Sequence, residues 1–128
     1  MSGGAAERGR FVDAGGVRIE ARVFDAAVRR EGREHEKERP SGTVVFLHEG
    51  LGSAAQWRDL PGAIAAATGT QASADSRAGY GGSEPVPLPR PLTYMHDEAR
   101  EGLPRVLDAF GVERAVLVGH SDGGLIAI

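Results

Sequence analysis

The chain has 128 residues, a formal charge of −3 and no cysteine. That length holds one domain with a single core, that charge supplies no basic field for nucleic acid or an anionic membrane, and the missing thiols exclude disulfides, thiolate metal sites and cysteine nucleophiles. The opening MSGGAAERGR lacks the apolar run of a leader, and nothing approaches the ~20 apolar residues of a membrane span, so a cytoplasmic location is expected.

RFVDAGGVRIEARVF reads as two strands, about Arg10–Asp13 and Val17–Phe24, around a turn at Ala14-Gly15-Gly16. In the second, Val17, Ile19, Ala21 and Val23 alternate with polar residues, the pattern of a half-solvated antiparallel strand at a sheet edge. DAAVRREGREHEKERPSG, about residues 25–42, balances its positive and negative side chains and is read as a solvated linker or loop.

TVVFLH, from Thr43 to His48, is contiguously apolar, which predicts a strand buried on both faces within a parallel sheet. A glycine loop, EGLGS, follows it. A helix is expected over Asp59–Thr68, with Trp57, Leu60, Ile64 and Ala67 on its buried stripe and Gly69 ending it. The alternation of elements then asks for a strand, but TQASAD, Thr70–Asp75, has no branched aliphatic or aromatic residue and would make a poor one.

A second helix is expected over Thr93–Phe110. Met95, Ala99, Leu103, Val106, Leu107 and Phe110 keep helical spacing, Thr93 can cap it and Gly111 ends it. Pro104 lies inside and should kink it, because it removes the bond to the Arg100 carbonyl. PVPLPRP, Pro85–Pro91, is an extended surface loop or a partner motif, the loop being favoured. AVLVG reads as another buried strand and DGGLIAI as the start of a further helix. The order of elements predicts an α/β sandwich, a single domain over residues 1–128.

Gly119-His120-Ser121-Asp122-Gly123 fits G-x-S-x-G, between a buried strand and an apolar helix. That is the setting of a nucleophile elbow, in which a tight strand-to-helix turn lifts the serine hydroxyl above the sheet. The turn has no room for a Cβ two residues before or after the serine, and Gly119 and Gly123 provide for this. Ser121 is the candidate nucleophile, and the Asp122 backbone N–H can face a developing oxyanion. The second donor is expected from FLHEGLGS, with Gly50 the first choice and Glu49 the second. His48 could be a base but is better read as fixing that loop by hydrogen bonds; Glu49 is better read as a rim charge than as a general acid. A dinucleotide-binding reading of Gly119-x-Ser121-x-x-Gly124 fails at the middle position, where the phosphate-binding glycine is a serine.

Together, VVFLHEGLGS, SRAGYGGS and VLVGHSDGG resemble the N-terminal half of an α/β-hydrolase-fold enzyme, nearest to esterases and enol-lactonase-like hydrolases with a His-x-Gly oxyanion loop. The resemblance covers about residues 10–128. It implies an antiparallel N-terminal hairpin, then parallel strands with flanking helices, ending after the elbow. It further implies Ser121 as nucleophile, the N–H groups of Gly50 and Asp122 as oxyanion hole, a small-molecule ester, thioester or lactone substrate, and no cofactor or metal. AGYGGS would be a structural turn. In this fold an acidic residue and then a histidine follow the serine, whereas seven residues follow Ser121 and supply neither beyond Asp122. His35, His96 and His120 are poor substitutes. Without a base the hydroxyl is a weak nucleophile, so the chain alone is expected to be inactive and poorly folded, with one sheet edge unpaired, and a complementing C-terminal half is an expected partner. The competing expectation is a catalytically inactive fragment or interaction module of the same fold.

Overall fold

The apolar run Thr43–Leu47 sets the architecture, because five residues buried on both faces need strands at their sides and helices above and below. In the computed structural model, which describes residues 7–25, 42–87, 90 and 92–128, this run is β3 of a five-stranded sheet. The others are β1 (Glu7–Ala14), β2 (Val17–Phe24), β4 (Gln71–Asp75) and β5 (Ala115–Gly119), in the order β1-β2-β4-β3-β5. β1, β2 and β4 are joined antiparallel, while β3 runs parallel to both β4 and β5. The charged segment read as a linker falls on residues 26–41, outside the described residues, as do Leu88, Pro89 and Pro91 of PVPLPRP.

The hairpin Glu7–Phe24 turns through Gly15 and Gly16, both at positive φ, as a two-residue loop requires. β2 corrects the edge expectation: it lies inside the sheet, between β1 and β4. Its alternation reports which face meets solvent, with Ile19, Ala21 and Val23 buried, and says nothing about whether its edges are paired. The doubtful strand is real. Gln71–Asp75 sits in the middle of the sheet with Ala72 and Ala74 fully buried, held by pairing to β2 and β3 rather than by its own propensity.

Alternation along β3 splits the core into two layers. Val44 and Phe46, with Ala72 and Ala74, face helix α1 (Leu60–Thr68) and Trp57, whose ring meets Phe46 edge-on at 5.0 Å. The stripe of α1 is shifted from the expected one: Pro61, Gly62 and Ala65 are buried, whereas Leu60 and Ala67 are exposed. Val45 and Leu47 face Leu103, Ile126 and the second helical segment. That segment runs as α2 (Tyr94–Asp97), a π-helical turn (Glu98–Gly102) and α3 (Leu103–Phe110). Pro104 thus sits in the first turn of α3, and the widened π turn before it absorbs the missing bond to Arg100. Thr93 stands at the N-cap, but its hydroxyl bonds the Asp97 carboxylate at 3.0 Å and no backbone N–H. Gly69 and Gly111 end α1 and α3 in the left-handed region.

β5 has the pattern of a buried strand but is the unpaired sheet edge expected of this chain. It is the far edge strand, Val116 is 63% exposed, and after it α4 (Asp122–Ala127) leaves Leu125 exposed. The apolar pattern was read correctly; nothing among the described residues covers its outer side. Among those residues no helix is long and apolar enough to cross a membrane.

Candidate active site

Leu47 pairs with Asp75 on one side and Gly119 on the other. Three strands therefore end level, and the loops leaving them share one end of the sheet. There the chain crosses from β4 over β3 to β5, with α1 on one face and α3 on the other, the kind of reversal that opens a crevice at the carboxyl ends of strands.

Ser121 sits at φ 56°, ψ −116° between β5 and α4, one of two non-glycine residues at positive φ among the described residues. A residue with a Cβ holds such a conformation only when its surroundings over-determine it, and they do. A Cβ on Gly119 would run into the backbone of Gly123. One on Gly123 would run into the Leu47 carbonyl group, its carbon only 2.6 Å away. The turn is clamped further by the His120 N–H, which donates to the Leu47 carbonyl at 3.2 Å, and the Gly123 N–H, which donates to that of His120 at 3.0 Å. Gly124 has ordinary room for a Cβ, 3.6 Å from the Gly119 carbonyl oxygen, so no phosphate-cradle constraint acts there.

The loop after β3 faces this turn. A Cβ on Gly50 would lie 2.6 Å from the Asp122 carboxylate, so the two proposed donors are neighbours across the crevice. His48 holds the loop, as the second of its two readings had it. It is fully buried; its Nδ1 lies 2.6 Å from the Glu49 carbonyl oxygen and its Nε2 3.0 Å from the Arg77 N–H. Nε2 must therefore accept and Nδ1 donate, which fixes the neutral tautomer. Burial pulls its pKa down to about 4, against the Glu49 carbonyl bond. Glu49 is at the rim: its carboxylate accepts from Gln56 at 2.8 Å and lies 3.2 Å from the exposed His120 ring. His96 is exposed on α2, and His35 lies outside the described residues.

Sequence reasoning missed Arg77. Its Nε donates to the Tyr94 hydroxyl at 2.7 Å and its Nη2 to the Glu49 carbonyl at 3.3 Å, tying the glycine loop to α2. Its place in SRAGYGGS was visible, but that stretch was read only as a turn. The turn is indeed structural. The Ser76 hydroxyl donates to Glu20 and accepts from the Ala54 N–H, and the Gly82 N–H bonds the same Glu20 carboxylate.

No protein-family model matches this chain. Among solved structures it superposes on a CIB-like hydrolase of Thermoplasma acidophilum with a TM-score of 0.69 at 23% identity, covering 97% of this chain and 55% of that one. Epoxide hydrolase VrEH1 of Vigna radiata gives 0.69 at 20%, covering 94% and 32%. Est816, an N-acyl homoserine lactone degrading enzyme, gives 0.67 at 25%, covering 92% and 38%. The chain has the α/β-hydrolase fold. A protein of Azorhizobium caulinodans named as a carbamate hydrolase, RutD, is 40% identical over 89 residues, 69% of this chain but 31% of the relative. This chain therefore spans about a third of that relative and between a third and just over half of these neighbours. The chemistries named for these proteins differ, while the α/β-hydrolase fold is common to them.

Proposed function

We propose that Ser121 is the nucleophile of a serine hydrolase acting on ester, thioester or lactone carbonyls through an acyl-enzyme. The observation that carries this reading is the φ of 56° at Ser121, enforced by Gly119 and Gly123. Arg58 shares these angles at φ 53°, ψ −121°, so it is the placement of the strain, under an exposed hydroxyl at the strand-end crevice, that supports a role.

In the proposed reaction the Ser121 oxygen attacks the carbonyl carbon while its proton passes to a base. The carbonyl oxygen becomes an oxyanion facing the N–H groups of Gly50 and Asp122. The intermediate collapses, expelling the alcohol, thiol or lactone hydroxyl with a proton, and water later releases the acid. His48 is not that base: Nδ1 donates to the Glu49 carbonyl, the lone pair on Nε2 is taken by the Arg77 N–H, and burial, which lowers its pKa to about 4, leaves it too weak to hold the serine proton. The base and its orienting acid are assigned to a complementing C-terminal segment, which would also cover Val116, Leu125 and Ile128. The coverage of the relatives' lengths supports this. The relative's name adds carbamates, acyl compounds of the same kind, to the bonds worth testing. A cytoplasmic location belongs to the same proposal.

The experiment is hydrolysis of p-nitrophenyl esters, a lactone and a carbamate by the gene product translated to its own stop codon, with mass spectrometry of the Ser121 peptide. Acylated Ser121, and a loss of at least about a thousandfold in Ser121→Ala, are expected. Turnover surviving that substitution sinks the nucleophile; no turnover on any of these bonds favours the non-catalytic module.

A further inference from the structure

A peptide group is planar and trans, with its C=O and N–H pointing in opposite directions, so whatever fixes the carbonyl of one residue aims the N–H of the next. The loop after β3 fixes one such carbonyl closely. That of Glu49 accepts from His48 Nδ1 at 2.6 Å, from Arg77 Nη2 at 3.3 Å and from the Gly52 N–H at 3.1 Å, the last closing a turn over Gly50 and Leu51. Two of these donors are buried side chains, His48 at 0% exposed and Arg77 at 3%. The Gly50 N–H, on the same peptide, is therefore turned away from that buried pair, and among the described residues no group accepts from it. Gly50 itself borders the elbow, where a Cβ would meet the Asp122 carboxylate.

Arg77 is a destabilising choice for a merely structural loop. Among the described residues no carboxylate forms an ion pair with it, and burying an unpaired guanidinium opposes folding. What the side chain does is bridge. Its Nε donates to the Tyr94 hydroxyl of α2 at 2.7 Å while its Nη2 reaches the Glu49 carbonyl. The Arg77 main-chain N–H meanwhile donates to His48 Nε2 at 3.0 Å, which sets the tautomer that lets Nδ1 donate to that same carbonyl. One residue thus acts on the Glu49–Gly50 peptide twice, once directly and once through His48. A guanidinium suits the direct hold because its planar fork presents donors to two acceptors at once.

We propose that Arg77, braced by Tyr94, is a positioning residue that aims the Gly50 N–H as oxyanion donor, an inference that rests on the nucleophile reading of Ser121. It acts through the peptide and not on the substrate. Without the guanidinium, the Glu49 carbonyl keeps fewer bonds and its peptide rotates more often. That motion takes the Gly50 N–H off line and breaks the Gly52 bond together, so the Gly52 amide reports on the aim of its neighbour.

Amide hydrogen exchange and ester hydrolysis, both on the gene product translated to its own stop codon, test this. In Arg77→Met the Gly52 N–H should exchange at least about fivefold faster. In the same variant kcat should fall roughly ten- to a hundredfold, with KM within about threefold of the parent. Tyr94→Phe leaves the guanidinium and removes its brace; it should show the same pattern at about two- to fivefold, and it carries the test alone if Arg77→Met does not fold. The Gly69 N–H, bonded to the Ala65 carbonyl at 2.9 Å at the end of α1, should exchange as in the parent. Unchanged exchange at Gly52 in Tyr94→Phe or in folded Arg77→Met overturns the proposal. So does equal acceleration at Gly69, which would mean general loosening, or KM rising with kcat intact, which would set these side chains against the substrate. Failure of the nucleophile reading looks different: turnover survives Ser121→Ala or is absent from the parent. That outcome removes the oxyanion role of Gly50, and the proposal with it, whatever the exchange rates.

Discussion

β3 and β4 lie side by side in parallel register, yet the space beyond them is governed in opposite ways. Past Leu47, backbone meets backbone: Gly123 is packed so closely on the Leu47 carbonyl that one methyl has nowhere to go, and Ser121 is bent into positive φ as a result. Beside Asp75 the reverse holds, with small side chains, an open volume of about 430 Å³ and buried polar atoms that lack partners among the described residues. Close packing fixes one conformation and stores strain there; underfilling leaves a buried charge to titrate. Substitutions separate the two regimes.

The largest effect is expected from Gly123→Ala. Its Cβ would collide with two carbonyl groups at the end of β3, Leu47 and His48, neither of them free to move without distorting that strand. A loss of about 3 kcal/mol or more, or failure to fold, follows from overpacking against rigid backbone, and urea unfolding would measure it. A loss below about 1 kcal/mol would mean that the turn is not clamped.

Next comes the pH dependence set by Asp75 and His48. Burial raises the Asp75 carboxyl from 3.8 to about 7, with Glu98 adding to the rise and Arg77 opposing it. A carboxyl raised in the fold stabilises it when protonated, so that stability is lost as pH climbs from about 4 to about 7. His48, pulled from 6.5 to about 4, works in the other sense: its contribution is lost as pH falls through that window. The two slopes oppose each other between about 4 and 6.5. Asp75→Asn removes the first, so the variant should gain on the parent between pH 5 and 8, by at most about 4 kcal/mol. Urea midpoints at pH 5, 6, 7 and 8 would show it, and parallel curves would place the Asp75 carboxyl in solvent.

This contrast also explains what the sequence could disclose. The elbow and its glycine loop were legible because backbone geometry forces residue types: only glycine fits at 119 and 123, and that demand appears as a spacing. The strand Thr43–Leu47 was legible because burial on both faces demands an unbroken apolar run. β4 was nearly missed, since its place depends on hydrogen bonds to β2 and β3 rather than on its own side chains, and a run of Ala, Ser and Asp carries no such signal. The cavity was invisible for the same reason, because a void is a property of what the facing helix fails to fill. Arg77 escaped because its partners, His48, Glu49 and Tyr94, come from separate segments. β5 was legible as an apolar strand, and its unpaired edge followed from the fold the motifs imply rather than from any local pattern.

A smaller, stabilising effect is expected from Ser121→Gly. Glycine adopts φ 56°, ψ −116° without a Cβ penalty, so relief of strain outweighs the added freedom of the unfolded chain by about 1 kcal/mol. The sign is the test: destabilisation would mean that the hydroxyl holds the turn together and that the strain reading is wrong.

The smallest stability change is expected from Gly50→Ala, which sets the same added methyl against a different neighbour. Its Cβ would approach the Asp122 carboxylate at 2.6 Å, but that is the end of a flexible side chain, and Gly50 is not in the left-handed region. Rotation of the carboxylate relieves the contact, so unfolding should shift by no more than about 0.5 kcal/mol. If the Gly50 N–H faces the oxyanion as proposed, however, the residual shift that seats the methyl beside the turned carboxylate, too small to register in folding, still spoils an aligned donor. Turnover in the active protein should then fall by roughly ten- to a hundredfold. Stability and turnover falling together would make Gly50 a packing residue, whereas turnover falling alone is what an oxyanion donor at this position requires.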